Sequence, residues 1–163
     1  MSEKPPTPAL SPKGVSVEPR RRPPRSRGDC FVAMPISSTV LDSYYDEAIK
    51  PTVESCGYKC IRVDREPRSD EIMRQIRDGI ENSAVVIVDL TDDRPNCYFE
   101  AGYASALGKT IIFQRLHSPP KYELASHFDV LPYPIFLYGT LADLRKGLRR
   151  RLDALRNESR PPS

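Results

Sequence analysis

The segment from residue 84 to residue 113 constrains the fold of this chain more than any other. It contains two short runs rich in β-branched and other apolar residues, and an acidic loop and a helical pattern lie between them. A short apolar run bounded by turn residues is typical of a strand that is buried on both faces. Strand, helix and strand in this order predict a βαβ unit with two parallel strands.

The same alternation extends over most of the chain. Strands are predicted at 30–34, 59–63, 84–90, 110–116 and 135–138, and helices at 43–55, 69–82, 96–107 and 141–155. Five strands alternating with helices predict an α/β fold, a three-layer sandwich around a largely parallel sheet. We choose the flavodoxin-like strand order 2-1-3-4-5, whose topological switch point lies between strands 1 and 3. The ligand crevice is then expected between the loops that follow Met34 and Leu90.

Residues 1–29 differ in composition from the rest of the chain. They contain seven of the 17 prolines, five arginines and few large apolar residues. Such a segment cannot bury enough apolar surface to offset the entropy lost on ordering, so we expect it to be disordered. One α/β domain is predicted over residues 30–156, and residues 157–163 form a second disordered end.

Several classes of protein are excluded by composition. No stretch approaches the roughly 20 apolar residues of a membrane span, and the first residues lack the apolar core of a signal peptide, so a cytoplasmic protein without membrane contact is expected. The four cysteines are expected to be reduced thiols, and two distant histidines complete no metal site with them, so no metal or other cofactor is predicted. Because the tail carries most of the excess positive charge, nucleic acid is not an expected partner.

The loop after the first predicted strand contains no glycine. Its sequence from residue 34 to 39 is MPISST, which excludes the glycine fingerprint of dinucleotide folds and the Walker phosphate loop. The Ser37 and Ser38 hydroxyls, together with Met34 at the strand end, are candidate contacts for a phosphate or a sugar hydroxyl. An ordinary polar loop that caps a helix explains the serines equally well.

Glu100 is the leading candidate for chemistry. We predict it in the first turn of its helix or just beyond, where the partial positive charge of the helix end favours a carboxylate. Cleavage of the bond between a sugar and a base builds positive charge at the anomeric carbon, and a carboxylate beside the ring stabilises or attacks that centre. The structural alternative is that Glu100 only complements the helix dipole.

Asp89 and Asp92 are the predicted catalytic partners of Glu100. Asp89 directly ends the buried strand and Asp92 follows in the loop, so either carboxyl group is placed to contact ribose hydroxyls or to protonate a leaving base. The alternative is turn chemistry, for which aspartate is favoured. That alternative is our interpretation of Asp93.

Three side chains near the start of the helix are candidate substrate contacts. Asn96 is expected to cap the helix, and its amide is also placed to reach a sugar hydroxyl. Tyr103 lies three residues from Glu100 and shares its helical face. The ring of Tyr103 or of Tyr98 is a candidate to stack on a base or to orient the carboxylate, although Tyr98 has core packing as its alternative.

With these residues in view, the chain resembles the nucleoside 2-deoxyribosyltransferase-like superfamily and its nucleotide-binding, TIR-like relatives. Three segments carry the resemblance: CFVAMPI at 30–36, AVVIVDLT at 84–91 and NCYFEAGYASALGK at 96–109. In the transferases, the glutamate of a similar Glu-x-Gly-Tyr-Ala pattern is the nucleophile that forms a ribosyl-enzyme intermediate. The spacing from Cys97 to Glu100 also resembles the Cys-x-x-Glu of TIR domains, whose glutamate supports NAD cleavage. Both comparisons imply a catalytic role for Glu100.

Two functional hypotheses follow. The first is an enzyme that cleaves or transfers the N-glycosidic bond of a nucleoside, nucleotide or NAD-like substrate. The alternative is a non-catalytic nucleotide-binding or signalling module of the TIR-like type that binds its ligand in the same crevice. Because transferases of this type often complete their sites across subunits, the resemblance also implies a homo-oligomer.

Overall fold

A five-stranded sheet forms the centre of the structure, a computed structural model that describes residues 27–35, 38–63, 70–117 and 133–158. The strands are β1 (Asp29–Ala33), β2 (Lys59–Ile61), β3 (Ser83–Asp89), β4 (Thr110–Leu116) and β5 (Ile135–Tyr138). Their order is β2-β1-β3-β4-β5, and each neighbouring pair is parallel. The predicted strand order is confirmed.

Helices cover both faces of the sheet. They are α1 (Thr39–Tyr44), α2 (Lys50–Ser55), α3 (Asp70–Asn82), α4 (Pro95–Ala106) and α5 (Leu141–Glu158), with a π-helical turn between α1 and α2 and a 3₁₀ turn between β3 and α4. Buried residues of α1, α2 and α5 pack on one face, and those of α3 and α4 pack on the other. The three-layer sandwich is therefore confirmed. Within the described ranges, no helix has both the length and the apolar character needed to cross a bilayer.

The central strand β3 is buried on both of its faces. Val85 and Ile87 pack with the cluster under α1, α2 and α5, whereas Val86 and Val88 pack with the cluster under α3 and α4. Successive side chains of a strand point to opposite faces. A strand covered on both sides therefore needs apolar residues at consecutive positions, which explains the continuous run in the sequence.

The boundaries of β4 and β5 agree with the prediction at both ends, whereas other elements differ. The first helical stretch begins at Thr39 rather than at residue 43, because the Ser38 side chain accepts a hydrogen bond from the Leu41 amide at 3.3 Å and caps the helix there. Helix α5 continues to Glu158, past the predicted end of the domain at residue 156. Ser69, the predicted first residue of the second helix, lies outside the described residues.

Residues 27–29 belong to the fold, although the prediction assigned them to a disordered tail. The Arg27 amide donates a hydrogen bond to the Gly57 carbonyl at 2.9 Å, and its guanidinium carbon lies 4.9 Å from the centroid of the Tyr58 ring. Strand β1 then begins at Asp29. Composition does not reveal these contacts, because the partners are distant in sequence. Residues 1–26 and 159–163, the rest of the predicted tails, lie outside the described part of the chain.

Pro51 shapes the helical stretch that follows β1. It has no amide hydrogen, so the Glu47 carbonyl four residues earlier lacks its α-helical donor. Arg145 of α5 donates to this carbonyl from Nε at 3.1 Å and from Nη2 at 2.9 Å. The π-helical turn Tyr45–Ile49 directly precedes α2, the α-helix in which Pro51 is the second residue. The arginine therefore satisfies the backbone group that the proline leaves open and ties α5 to this stretch.

Two helical glycines are expected to respond in opposite ways to alanine. Gly147→Ala should lower the free energy of unfolding by about 1–3 kcal/mol, because its Cβ would lie 2.0 Å from Cζ of Phe136. Gly102→Ala should raise that free energy by up to about 1 kcal/mol, because a Cβ there meets no heavy atom within 4 Å. Urea unfolding of both variants measures the difference. Equal effects at the two positions would contradict the packing of α5 on β5.

Candidate active site

The carboxyl ends of β1 and β3 lie side by side where the strand order reverses. Ala33 of β1 pairs with Val88 of β3, and the chain leaves β1 toward α1 and β3 toward α4, on opposite faces of the sheet. Ligand crevices of open parallel sheets form at this point. We call Met34, Pro35 and Ser38 with α1 the first wall and residues 90–95 with the start of α4 the second wall.

Glu100 lies on the buried side of α4. It is 3% exposed and occurs among the buried residues Cys97, Ala101 and Ala104 of the same helix. It is the sixth residue of α4 and lies in the second turn, because the helix begins at Pro95, one residue before the predicted start. Since the helix dipole acts mainly within the first turn, complementing that dipole is a weaker explanation for Glu100 than the sequence suggested.

Asp89 is fully buried and enclosed by donors. Among the described residues, its carboxylate accepts hydrogen bonds from the Thr91 amide at 2.9 Å, from Gln114 Nε2 at 2.9 Å and from the Tyr138 hydroxyl at 2.7 Å. Burial, followed by the charge of Asp89, raises the pKa of Tyr138 far above its usual range, so this hydroxyl remains a donor. The contacts place Asp89 in a structural network rather than at an open surface.

Asp89 and Glu100 lie on opposite faces of the sheet. Asp89 follows Val85 and Ile87 at alternate positions of β3 and therefore faces the α1, α2 and α5 layer. Glu100 belongs to α4, which packs on the other face. The predicted catalytic pair is thus divided by the sheet.

The loop after β3 contains two aspartates in an unusual backbone conformation. Asp92 has φ 63° and Asp93 has φ 48°, the left-handed region that non-glycine residues rarely adopt. Asp93 accepts a hydrogen bond from the Tyr98 hydroxyl at 2.7 Å and pairs with Arg115 Nη2 at 2.5 Å. Asp93 therefore ties the loop to α4 and β4, in agreement with its interpretation as a turn residue. The side chain of Asp92 is exposed.

Two residues predicted near Glu100 have other surroundings. Asn96 does not cap α4, because the helix begins at Pro95 and Arg94 occupies the capping position. The Tyr103 hydroxyl donates a hydrogen bond to the Glu81 carboxylate at the end of α3. Tyr103 is thereby directed toward a neighbouring helix, while the half-buried Tyr98 remains at the second wall.

The first wall contains the remaining predicted contacts. Met34 directly follows β1 and is 3% exposed, so it packs in the core beneath the crevice. Ser38 is half-buried, and its hydroxyl caps α1. Ser37 lies outside the described residues. A helix cap is thus the observed contact of Ser38.

Three residues of the site were missed by sequence reasoning. Gln114 and Tyr138 donate to Asp89, and Arg115 pairs with Asp93. They come from β4 and β5, the two strands on the far side of β3. The signal in the sequence was Gln114, a polar residue within an apolar strand. This residue is 0% exposed in the structure. Buried polar groups need hydrogen-bond partners, so such a residue indicates a buried network.

Cys30 and Cys60 lie away from the switch point. All four are free thiols, and Cys30 and Cys60 are register partners near the starts of β1 and β2, toward the opposite end of the sheet. Burial raises the pKa of the Cys60 thiol to about 11, so it is a poor nucleophile at neutral pH. In the described part of the chain, no group of three His, Cys, Asp or Glu side chains is arranged to hold a metal ion.

The fold defines an α/β protein of flavodoxin-like topology with a buried glutamate on the helix that follows β3. No protein-family model matches the sequence. A search of curated proteins likewise finds no match at a significant level.

Solved structures with a similar fold are found at low sequence identity. The CMP N-glycosidase BcmB of Clostridium botulinum is 20% identical with a TM-score of 0.57, covering 74% of this chain and 97% of its own. A 2-desoxiribosyltransferase of Leishmania mexicana is 21% identical with a TM-score of 0.46, covering 56% and 65%. A fungal multi-domain GH3 beta-N-acetylglucosaminidase with a GCN5-related acetyltransferase region is 13% identical with a TM-score of 0.50, covering 83% and 15%. At these identities the likeness shows the fold, which alone does not determine function.

The two left-handed aspartates are expected to differ when each is replaced by glycine. Asp92→Gly should change the free energy of unfolding by less than about 1 kcal/mol, because relief of backbone strain offsets the added flexibility of the unfolded chain. Asp93→Gly should lower it by about 1–3 kcal/mol, because Tyr98 and Arg115 lose the carboxylate that they bind. Chemical denaturation measures both variants. A larger loss for Asp92→Gly would show that Asp92 is the residue that holds the loop.

Proposed function

We propose that this chain is an enzyme that cleaves or transfers the N-glycosidic bond of a nucleoside or nucleotide, with Glu100 as nucleophile or stabiliser of the oxocarbenium ion. The observation that carries the proposal is the burial of this carboxylate at 3% exposure on α4, the helix that follows the second wall. A carboxylate withdrawn from water interacts more strongly with a developing positive charge than an exposed one does.

The proposed reaction breaks the N-glycosidic bond between the sugar and the base. The bond from the anomeric carbon to the base nitrogen breaks, its electron pair leaves with the base, and the base takes up a proton. In the covalent route, a Glu100 oxygen bonds to the anomeric carbon, and water or a second base then displaces it. Without the covalent step, Glu100 stabilises the oxocarbenium ion while the acceptor adds directly.

We assign the two predicted partners of Glu100 different tasks. Asp92 is exposed at the second wall and is free to contact the ribose or to protonate the leaving base. Asp89 is held by three donors inside the fold, so its proposed task is to support the loop. Tyr98 donates a hydrogen bond to Asp93 of the same loop and is the proposed stacking partner for the base.

The shared fold makes pyrimidine nucleoside monophosphates the first substrates to test. One similar structure, with a TM-score of 0.57, is a CMP N-glycosidase, and the similarity spans 97% of that protein. The substrate of that protein is a starting point for this one. NAD is also tested as a substrate, because the Cys97 to Glu100 spacing resembles that of TIR domains.

A non-catalytic nucleotide-binding or signalling module of the TIR-like type is the second candidate. It is favoured by the enclosure of Asp89, which removes one of the two predicted proton donors from the crevice. In that case the same walls bind a nucleotide, and Glu100 contributes to affinity instead of to bond cleavage.

Base release is the measurement that tests the proposal. Purified protein is incubated with nucleosides, nucleoside monophosphates and NAD, and free base is quantified by chromatography. Glu100→Gln should reduce release by at least roughly 100-fold, because the substitution removes the charge that stabilises the transition state. Glu54→Gln, at an exposed position of α2, is the matched control and should retain full activity.

Two outcomes would contradict the enzyme hypothesis in different ways. Undiminished release by Glu100→Gln would exclude the assigned role of the glutamate. No release from any substrate, combined with an increase in the Tm of the wild-type protein on adding a nucleotide, would favour the binding module.

A further inference from the structure

Tyr138, the last residue of β5, contacts α1 in the first wall and the end of β3, directly before the second wall. It is 1% exposed, and its hydroxyl donates to Asp89 at 2.7 Å. Its ring centroid lies 5.4 Å from that of Tyr44 in α1. The Tyr44 hydroxyl in turn donates to the Gly139 carbonyl at 3.4 Å, directly after Tyr138. One residue from the edge strand thus bridges the two walls.

The bond from Tyr138 to Asp89 extends into the second wall. Asp89 accepts the Thr91 amide at 2.9 Å through its other oxygen, and the Thr91 hydroxyl accepts the Leu116 amide at 2.9 Å. Thr91 directly precedes Asp92, which is held in the left-handed conformation. Orientation of the Asp89 carboxylate therefore determines where the strained loop begins.

The ring of Tyr138 packs against Tyr44 in the first wall. Tyr44 is the last residue of α1, and α1 begins directly after Ser38 in the loop that follows β1. Tilted aromatic pairs at this separation are favourable beyond the area they bury. The ring pair therefore fixes α1 relative to β5, while the hydroxyl fixes the loop after β3.

We propose that Tyr138 is a positioning residue that sets the separation of the two crevice walls through Asp89 and Tyr44. Its hydroxyl holds the loop that presents Asp92, and its ring holds α1. The effect on catalysis rests on the proposed function. The effect on the loop does not, and it is measured without a substrate.

Hydrogen exchange tests the effect on the loop. Tyr138→Phe keeps the ring and removes the hydroxyl. Exchange should accelerate at the amides of Thr91 and Leu116 relative to the Ile87 amide in the core of β3, as measured by NMR. Tyr58→Phe is the matched control, because Tyr58 is also a buried tyrosine but lies just before β2 and packs against Arg27. Equal exchange at both loop amides in the wild type and Tyr138→Phe would overturn the inference.

A double-mutant cycle tests whether Asp89 carries the effect. Asp89→Asn retains an acceptor for the Thr91 amide but alters the pairing with Tyr138 and Gln114. If the tyrosine acts through the aspartate, the acceleration of Thr91 exchange in the double variant with Tyr138→Phe should be smaller than the product of the two single effects. Independent, multiplicative effects would overturn the assigned route.

Base release tests the consequence for the reaction. In Tyr138→Phe, kcat should fall about 10- to 100-fold with KM changed less than threefold, because supporting residues act on the geometry of the transition state. Tyr58→Phe should keep the wild-type kcat. Faster loop exchange with unchanged kcat would overturn the positioning role in catalysis. Absence of base release in the wild type would refute the proposed function, and the exchange result would then decide the inference alone.

Discussion

Burial of β3 on both faces is the constraint on which the rest of the structure depends. β3 pairs with β1 on one side and β4 on the other, so its backbone is satisfied only in the middle of the sheet. Helices must then cover both faces, and the chain must leave β1 and β3 toward opposite layers. The switch point between the two walls is a direct result of this divergence. Its position does not depend on any particular ligand.

The same constraint explains how the fold sustains strain in the loop after β3. Two consecutive aspartates in the left-handed region cost free energy that the loop itself does not recover. The compensating contacts come from rigid neighbours: Asp93 is bound by Arg115 of β4 and Tyr98 of α4, and Thr91 is bound by Leu116. A loop fixed from several sides holds the backbone of the intervening Asp92 in the left-handed region.

Periodicity predicted the layers and the bounds of β4 and β5, because these follow from local patterns of apolar residues. The strand order was chosen from known α/β topologies and is confirmed. Glu100 was proposed from its place in the helix after the β3 loop, a pattern contained in one segment. The environment of Asp89 was not predictable in this way. Its donors Gln114 and Tyr138 lie 25 and 49 residues further along the chain, so only the assembled sheet brings them together. A helix cap was one of the two explanations given for the serines after β1, but the helix was predicted to begin at residue 43 instead of Thr39.

The two buried carboxylates differ in their surroundings, and we assign them different roles. Asp89 accepts hydrogen bonds from fixed donors on both oxygens, an arrangement that restricts rotation of the carboxylate and disfavours a new bond to either oxygen. Such a group is suited to orient a loop. Glu100 lies on the opposite face of the sheet, on helix α4, which follows that loop. Because Glu100 is in the second turn, its carboxylate does not stabilise the N-terminal turn of the helix. The sheet that keeps the two carboxylates apart thus allows one to stabilise the crevice wall and leaves the other as the candidate for reaction.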